Sequence, residues 1–236
     1  MSAALYNPSW YAGNKDATGR SAAVIAPYVA SLVEPSSILD LGCGTGSWLA
    51  AFGVGDCIGC DGPWVDPGQL EIPPERFLVH DLSQPLRLDR RFDLAVSIEV
   101  AEHLPESASA TLVESLTAHA PVVLFSAAVP GQPGAGHVND HWPDYWATLF
   151  ADRNYAACDV IRLRFWEHPD VRYFHAQNII LYVQRDRLDD LEIDETPVPR
   201  LIHPRLYASA LERFPQPESV RLRPALGFLA RMLRIR

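Results

Sequence analysis

Ile38-Leu39-Asp40-Leu41-Gly42-Cys43-Gly44-Thr45-Gly46-Ser47-Trp48 decides how the rest of this chain is read. Ile38, Leu39 and Leu41 make a short apolar run interrupted by Asp40 alone, which predicts a buried strand. Gly42, Gly44 and Gly46 then permit a tight turn into a helix beginning near Thr45. Such a turn lets backbone N–H groups approach a ligand closely at the start of a helix. The spacing is G-x-G-x-G, whereas dinucleotide sites favour G-x-G-x-x-G, so a nicotinamide cofactor is the weaker of two readings.

Working outward, SAAVIAPYVASLV (residues 21–33) has helical spacing, with Pro27 as an expected kink, and leads into the first strand. DCIGCDG (56–62) reads as the second strand, ending at Asp61. An acidic residue there, about twenty positions past the first strand, can accept hydrogen bonds from both hydroxyls of a ribose. Residues 63–75 are proline-rich and predict a loop with at most one helical turn. RFLVHDL (76–82) predicts a third strand ending in His80-Asp81-Leu82, and Phe92 to Ile98 a fourth with its helix starting by Glu99. That helix runs on through SASATLVESLTAHA (107–120), and PVVLFSAAVP (121–130) supplies a fifth strand. After a helix from about Asp144 to Ala151, YAACDVIRLRFW (155–166) and QNIILYVQRD (177–186) predict a closing strand pair, with residues 167–176 as a loop at the same rim.

The acidic residue two positions before the first glycine, together with the G-x-G-x-G spacing, resembles motif I of class I S-adenosylmethionine (AdoMet) methyltransferases. The order of elements from Ser21 to Arg185 is similar to the Rossmann-like sheet of that family. The resemblance implies an α/β fold with a seven-stranded, mostly parallel sheet of order 3-2-1-4-5-7-6 and helices on both faces. It implies AdoMet as cofactor. Gly42, Cys43, Gly44 and Gly46 would pack on its methionine part, with Asp40 at the ammonium group. Asp61 would take the ribose, Asp81 the adenine amino group, Leu82 the adenine through its backbone, and Glu99 would also belong to the cofactor set.

With 236 residues and 48% hydrophobic content, the chain can bury one large core. The expected division is an N-terminal lid (1–20), a catalytic domain (21–187), and a linker with a basic helical extension (188–236). Residues 1–16 carry Tyr6, Trp10 and Tyr11 among Asn, Pro, Ser and Gly, and read as too broken for a helix. A net charge of −9 opposes tight binding to nucleic acid, which needs a basic surface. The charge is uneven: from Arg200 to Arg236 it is +6, leaving −15 on the preceding residues. The basic tail is read as packing on the domain or meeting a partner. The start of the chain has neither a basic nor an apolar leader, no run reaches the length of a membrane span, and four cysteines make no disulfide framework. A soluble, cytoplasmic protein is the expectation.

Two features carry the expected chemistry. If the helix has begun by Glu99, then Glu99, Glu102 and His103 share one helical face. This E-x-x-E-H is similar to the metal-binding motif of ubiquinone-pathway O-methyltransferases and of small-RNA 3′-terminal 2′-O-methyltransferases, the latter adding a histidine from the loop after strand five. The resemblance implies a divalent site of Glu99, Glu102, His103 and His137, suited to Mg²⁺, Mn²⁺ or Zn²⁺. The alternative is a metal-free methyltransferase in which the histidine lines the pocket. The second feature, His137-Val138-Asn139-Asp140-His141-Trp142, lies in a Gly/Pro loop that should cover the substrate. It resembles loops of bacterial methyltransferases that tailor glycans and natural products. His103, His137 and His141 are the expected catalytic residues, and His175, Gln177 and Asn178 further candidates. The function expected is O-methylation of a sugar or other small metabolite. An N-methyltransferase of a small amine, or a non-catalytic AdoMet-binding partner protein, are the alternatives.

Overall fold

A computed structural model describes residues 8–213, and the side chains of residues 17–213. Tyr6 and the tail beyond Arg213 lie outside the described residues. The chain forms two compact units, Met1–His203 and Pro204–Arg236.

In the first unit a helix, α1 (Pro8–Val33), leads into β1 (Ser37–Leu41), and α2 (Ser47–Phe52) follows the glycine turn. Then come β2 (Asp56–Asp61), β3 (Phe77–Val79), β4 (Leu94–Ile98), α3 (Ser109–His119) and β5 (Val122–Ser126). The remainder of this unit is α4 (Pro143–Ala151), β6 (Tyr155–Cys158), α5 (Arg162–Phe165), α6 (Tyr173–Asn178), β7 (Ile180–Gln184) and α7 (Leu188–Leu191). The second unit contains α8 (Pro204–Arg213). No helix among the described residues is long and apolar enough to cross a membrane.

The seven strands form one sheet of order β3-β2-β1-β4-β5-β7-β6, parallel except for β7, which runs antiparallel to β5 and β6. All five residues of β1 are buried, as a strand covered on both faces requires. Alternation sorts its side chains. Ile38 joins Leu94, Val96, Leu124 and Leu181 in a core shared with α1 and α2. Leu39 and Leu41 join Ala95, Val123 and Phe125 in a core on the opposite face with α3 and α4. Helices therefore cover both faces, and β1, β2, β4 and β5 end side by side at one rim. Ligands of open α/β sheets bind beyond such carboxyl ends.

Four local expectations are corrected. Residues 8–20 are helical and continuous with residues 21–33, with Pro27 inside the helix. No helix starts at Glu99, whose φ is +55°; a short 3-10 turn, Ala101–His103, precedes α3. The strand read over 155–166 stops at Cys158, because α5 intervenes, and the rim loop of 167–176 is partly α6, which carries His175, Gln177 and Asn178. Finally, the stretch read as the start of a linker is fastened to the domain. Thr196 N–H donates to the Ala157 carbonyl, Arg162 Nη1 to the Pro199 carbonyl, and His203 N–H to Gln177 Oε1 (2.9, 3.0 and 2.7 Å).

Candidate active site

The glycine turn closes over the end of β2. Gly42 and Cys43 N–H both donate to the Cys60 carbonyl, at 2.8 and 3.2 Å. Gly42 sits at φ +90°, and a Cβ there would lie 2.3 Å from a Val100 methyl. Only glycine serves at that position. Gly44 N–H donates to Asp61 Oδ2 at 2.8 Å and Gly62 N–H to Oδ1 at 2.6 Å, so Asp61 is locked between the turn and its own strand end. Burial pushes its carboxyl upward, and the two N–H donors hold it down. Asp40 lies beneath the turn, 1% exposed, with Oδ2 accepting no hydrogen bond. Burial, then the Asp61 charge, raises its carboxyl well above the usual range. Glu71 ties the proline-rich loop to the turn by accepting from Thr45 and Ser47 hydroxyls.

A cavity of about 300 Å³ opens at this rim. Its lining includes Gly42, Cys43, Gly44 and Asp61 of the glycine turn and β2 end, Glu99, Glu102, His103 and His137, and Arg172, Phe174 and His175, with Thr18 contributed by α1. Gly46 turns the chain into α2 at φ +92°, with Ile72 packed against its α-carbon.

The E-x-x-E-H residues part company. Glu99 accepts from Ser126 Oγ and Asn178 Nδ2 on one oxygen and from Gln132 Nε2 on the other, at 2.8, 3.1 and 2.7 Å. Ligating atoms of Glu102, His103 and His137 lie instead within 4.8 Å of one another, a group that does not include Glu99. Glu99 thus stands apart from the other three residues of the expected metal set, since without a helix at Glu99 the i, i+3, i+4 face does not exist.

His137 arrives from a distant loop by backbone suture. Val138 and Asn139 N–H donate to the Glu102 carbonyl, and Asn139 Nδ2 reaches the Ala101 carbonyl and Ser109 Oγ. The His103 and His137 rings meet edge to face, centroids 4.9 Å apart. Burial, then the neighbouring His137, lowers His103 to about 4, so this imidazole is neutral at physiological pH. Glu102 moves the other way: burial and the Glu99 charge raise it well above the carboxylate range. Asp140 Oδ1 stands 3.1 Å from His137 Nδ1.

Of the expected site residues, Asp40, Gly46, Asp81, Leu82 and His141 do not line the cavity. His141 stacks on Tyr145 with centroids 3.8 Å apart and faces Glu106. Asp81 accepts from the Ser83 hydroxyl and N–H in an exposed turn, and Leu82 is buried in the core. Gln132 and Arg172 line the cavity without having been singled out from the sequence. Only their place in Gly/Pro-rich or rim segments marked them.

A family model described as a methyltransferase domain matches residues 14–184. No curated protein matches the sequence significantly. Among solved structures, Streptomyces venezuelae DesVI is similar with a TM-score of 0.54 at 18% identity, covering 77% of this chain and 97% of that one. AdoMet-bound CalS10, an amino pentose methyltransferase of calicheamicin biosynthesis from Micromonospora echinaspora, gives 0.54 at 16%, over 76% and 98%. The methyltransferase domain of bacterial CtHen1-C gives 0.53 at 14%, over 71% and 98%. With a sheet of matching order and a family model spanning most of its length, this chain belongs to the methyltransferase-domain family and has the fold of AdoMet-dependent methyltransferases.

Proposed function

We propose that this chain is an AdoMet-dependent O-methyltransferase acting on a hydroxyl of a sugar or other small metabolite. The observation that carries the reading is one cavity whose lining joins a glycine turn and a locked aspartate to the paired rings of His103 and His137 beside the Glu102 carboxyl group. Asp61 suits the ribose hydroxyls, and Gly42, with no room for a side chain, suits close contact with the cofactor. Methyl transfer from a sulfonium is an in-line displacement, so positioning does much of the work. A hydroxyl acceptor must in addition lose its proton.

His103 and His137 are the groups in the cavity that could take that proton, and Asp140 Oδ1 stands 3.1 Å from His137 Nδ1. The residues Glu102, His103 and His137 also fit a divalent cation, their mixed nitrogen and oxygen donors suiting Zn²⁺ or Mn²⁺ better than Mg²⁺. A cation held there would acidify and orient the acceptor hydroxyl. The −15 charge on the residues before the basic tail favours a small acceptor over a nucleic acid. Thr18 at the cavity is consistent with an N-terminal segment that folds over the cofactor.

The test is incubation with methyl-labelled AdoMet and a panel of sugar and phenolic hydroxyl acceptors, with and without EDTA, and location of the methyl by mass spectrometry. Label on oxygen is expected, and His103→Ala or His137→Ala should lower kcat at least about a hundredfold with AdoMet affinity retained. Label on nitrogen, or only a few-fold loss in both variants, would overturn O-methylation in favour of an amine acceptor. Activity indifferent to EDTA would remove the cation and leave the histidines as the base.

A further inference from the structure

Gln177 and Asn178 stand outside the cavity lining, and both are buried. Their side chains form an unbroken run of hydrogen bonds between the strap of residues 188–203 and the site. His203 N–H donates to Gln177 Oε1 at 2.7 Å and Gln177 Nε2 to Asn178 Oδ1 at 2.9 Å. Asn178 Nδ2 donates to Glu99 Oε1 at 3.1 Å and to Gln132 Oε1 at 2.9 Å, and Gln132 Nε2 closes the ring on Glu99 Oε2 at 2.7 Å. Glu99 and Gln132 line the cavity, and His203 is the last residue of the first unit.

An amide side chain has one accepting and one donating end, so each amide of the run can be turned two ways. The run itself removes that choice. A backbone N–H only donates, so Gln177 must turn Oε1 to His203, which sends Nε2 to Asn178. Asn178 then offers Oδ1 to Gln177 and Nδ2 to Glu99. Reversing Asn178 would set its oxygen against Glu99 Oε1 and Gln132 Oε1, three acceptors with no donor between them. Gln177 is 0% exposed, so solvent does not stand in for a lost partner. Glu99 also holds φ +55°, a strained conformation that persists where the surroundings enforce it, and the Asn178 donor is part of that enforcement.

We propose that Gln177 and Asn178 are positioning residues that couple the strap to the cavity. A docked His203 fixes the orientation of both amides and thereby holds Glu99 and Gln132 in the cavity lining; a ligand held by that lining in turn holds the strap. This inference rests on the AdoMet reading and adds to it a link between the cavity and the point where the second unit is attached. Linkage makes such a coupling reciprocal, with one factor for both directions.

The experiment uses the full chain and S-adenosylhomocysteine as ligand. In the unmodified protein, saturation should slow hydrogen exchange of the His203 amide at least about fivefold by NMR, a readout that needs no variant to fold. His203→Pro removes the donor and should weaken the ligand about fivefold to fiftyfold in calorimetric titration, whereas His203→Ala keeps the N–H and should stay within about twofold. Gln177→Met should weaken the ligand by a similar factor, and adding His203→Pro to it should cost less than about twofold more, since the run is already cut. Unchanged exchange at His203, equal affinities in His203→Pro and His203→Ala, or additive losses in the double variant would overturn the coupling and leave the cofactor reading in place. Failure of the unmodified chain to bind S-adenosylhomocysteine would overturn the cofactor reading and the coupling with it.

Discussion

His175 shows what burial does to one titratable side chain in this site. It is 3% exposed, its ring meeting Trp48 and Phe174 edge on at 5.6 and 4.7 Å. Burial, then the Arg172 charge, lowers its pKa to about 3. The fold therefore refuses a proton that the unfolded chain accepts below about pH 6.5, so this residue withdraws stability as pH falls from 6.5 toward 3. By pH 4 the loss is on the order of 3 kcal/mol. Urea unfolding at pH 7 and pH 4 should show His175→Gln losing less stability on acidification than the parent chain. Asp40 and Glu102, raised by burial, act in the opposite direction in both proteins and cancel from the comparison. An equal loss in parent and variant would contradict the buried, neutral imidazole.

At the level of elements, the loop after β5 depends on a glycine with a steric duty. A Cβ on Gly134 would fall 1.8 Å from His137 Nε2, so the imidazole occupies the space a side chain would need. Gly134→Ala must displace His137 or the loop. The expected result is a fall in kcat of about tenfold to a hundredfold with AdoMet affinity held within about twofold, measured by initial rates and titration. Loss of cofactor affinity as large as the loss of kcat would show that the loop supports the glycine turn instead of the reacting groups. The 3-10 turn Ala101–His103 and this loop function as one piece, because the Glu102 carbonyl accepts two loop N–H groups.

For the whole molecule, the division between units falls at His203 and Pro204, later than the linker expected from composition. Residues 188–203 complete buried and partly buried hydrogen bonds: Thr196 Oγ1 accepts from Asp159 N–H, the Pro199 carbonyl from Arg162, and Gln177 Oε1 accepts from His203 N–H. Truncation after His203 should preserve S-adenosylhomocysteine binding and the melting temperature to within a few degrees. Truncation after Arg187 leaves those partners unsatisfied, at roughly 1–3 kcal/mol each, and should lower Tm by about 10 °C or more in calorimetry. Equal stability of the two truncations would show that the strap is passive.

The strands, the glycine turn and the place of Asp61 at a strand tip were legible in the sequence because each rests on local rules, while the order of the strands came with the family resemblance. Apolar runs name strands, glycine spacing names a turn, and an acid at a strand tip sits at the rim whatever surrounds it. The partition of Glu99, Glu102, His103 and His137 was not legible. Periodicity placed three of them on one helical face, but φ at Glu99 is set by donors from Ser126, Gln132 and Asn178, which lie 27 to 79 positions away in the chain. Likewise Asp81 keeps the spacing of a ligand, while its Oδ1 accepts from the Ser83 N–H and hydroxyl in an exposed turn. Local backbone preference determined where this chain turns; which side chains face the cavity was decided by contacts between segments far apart, and no spacing rule encodes those.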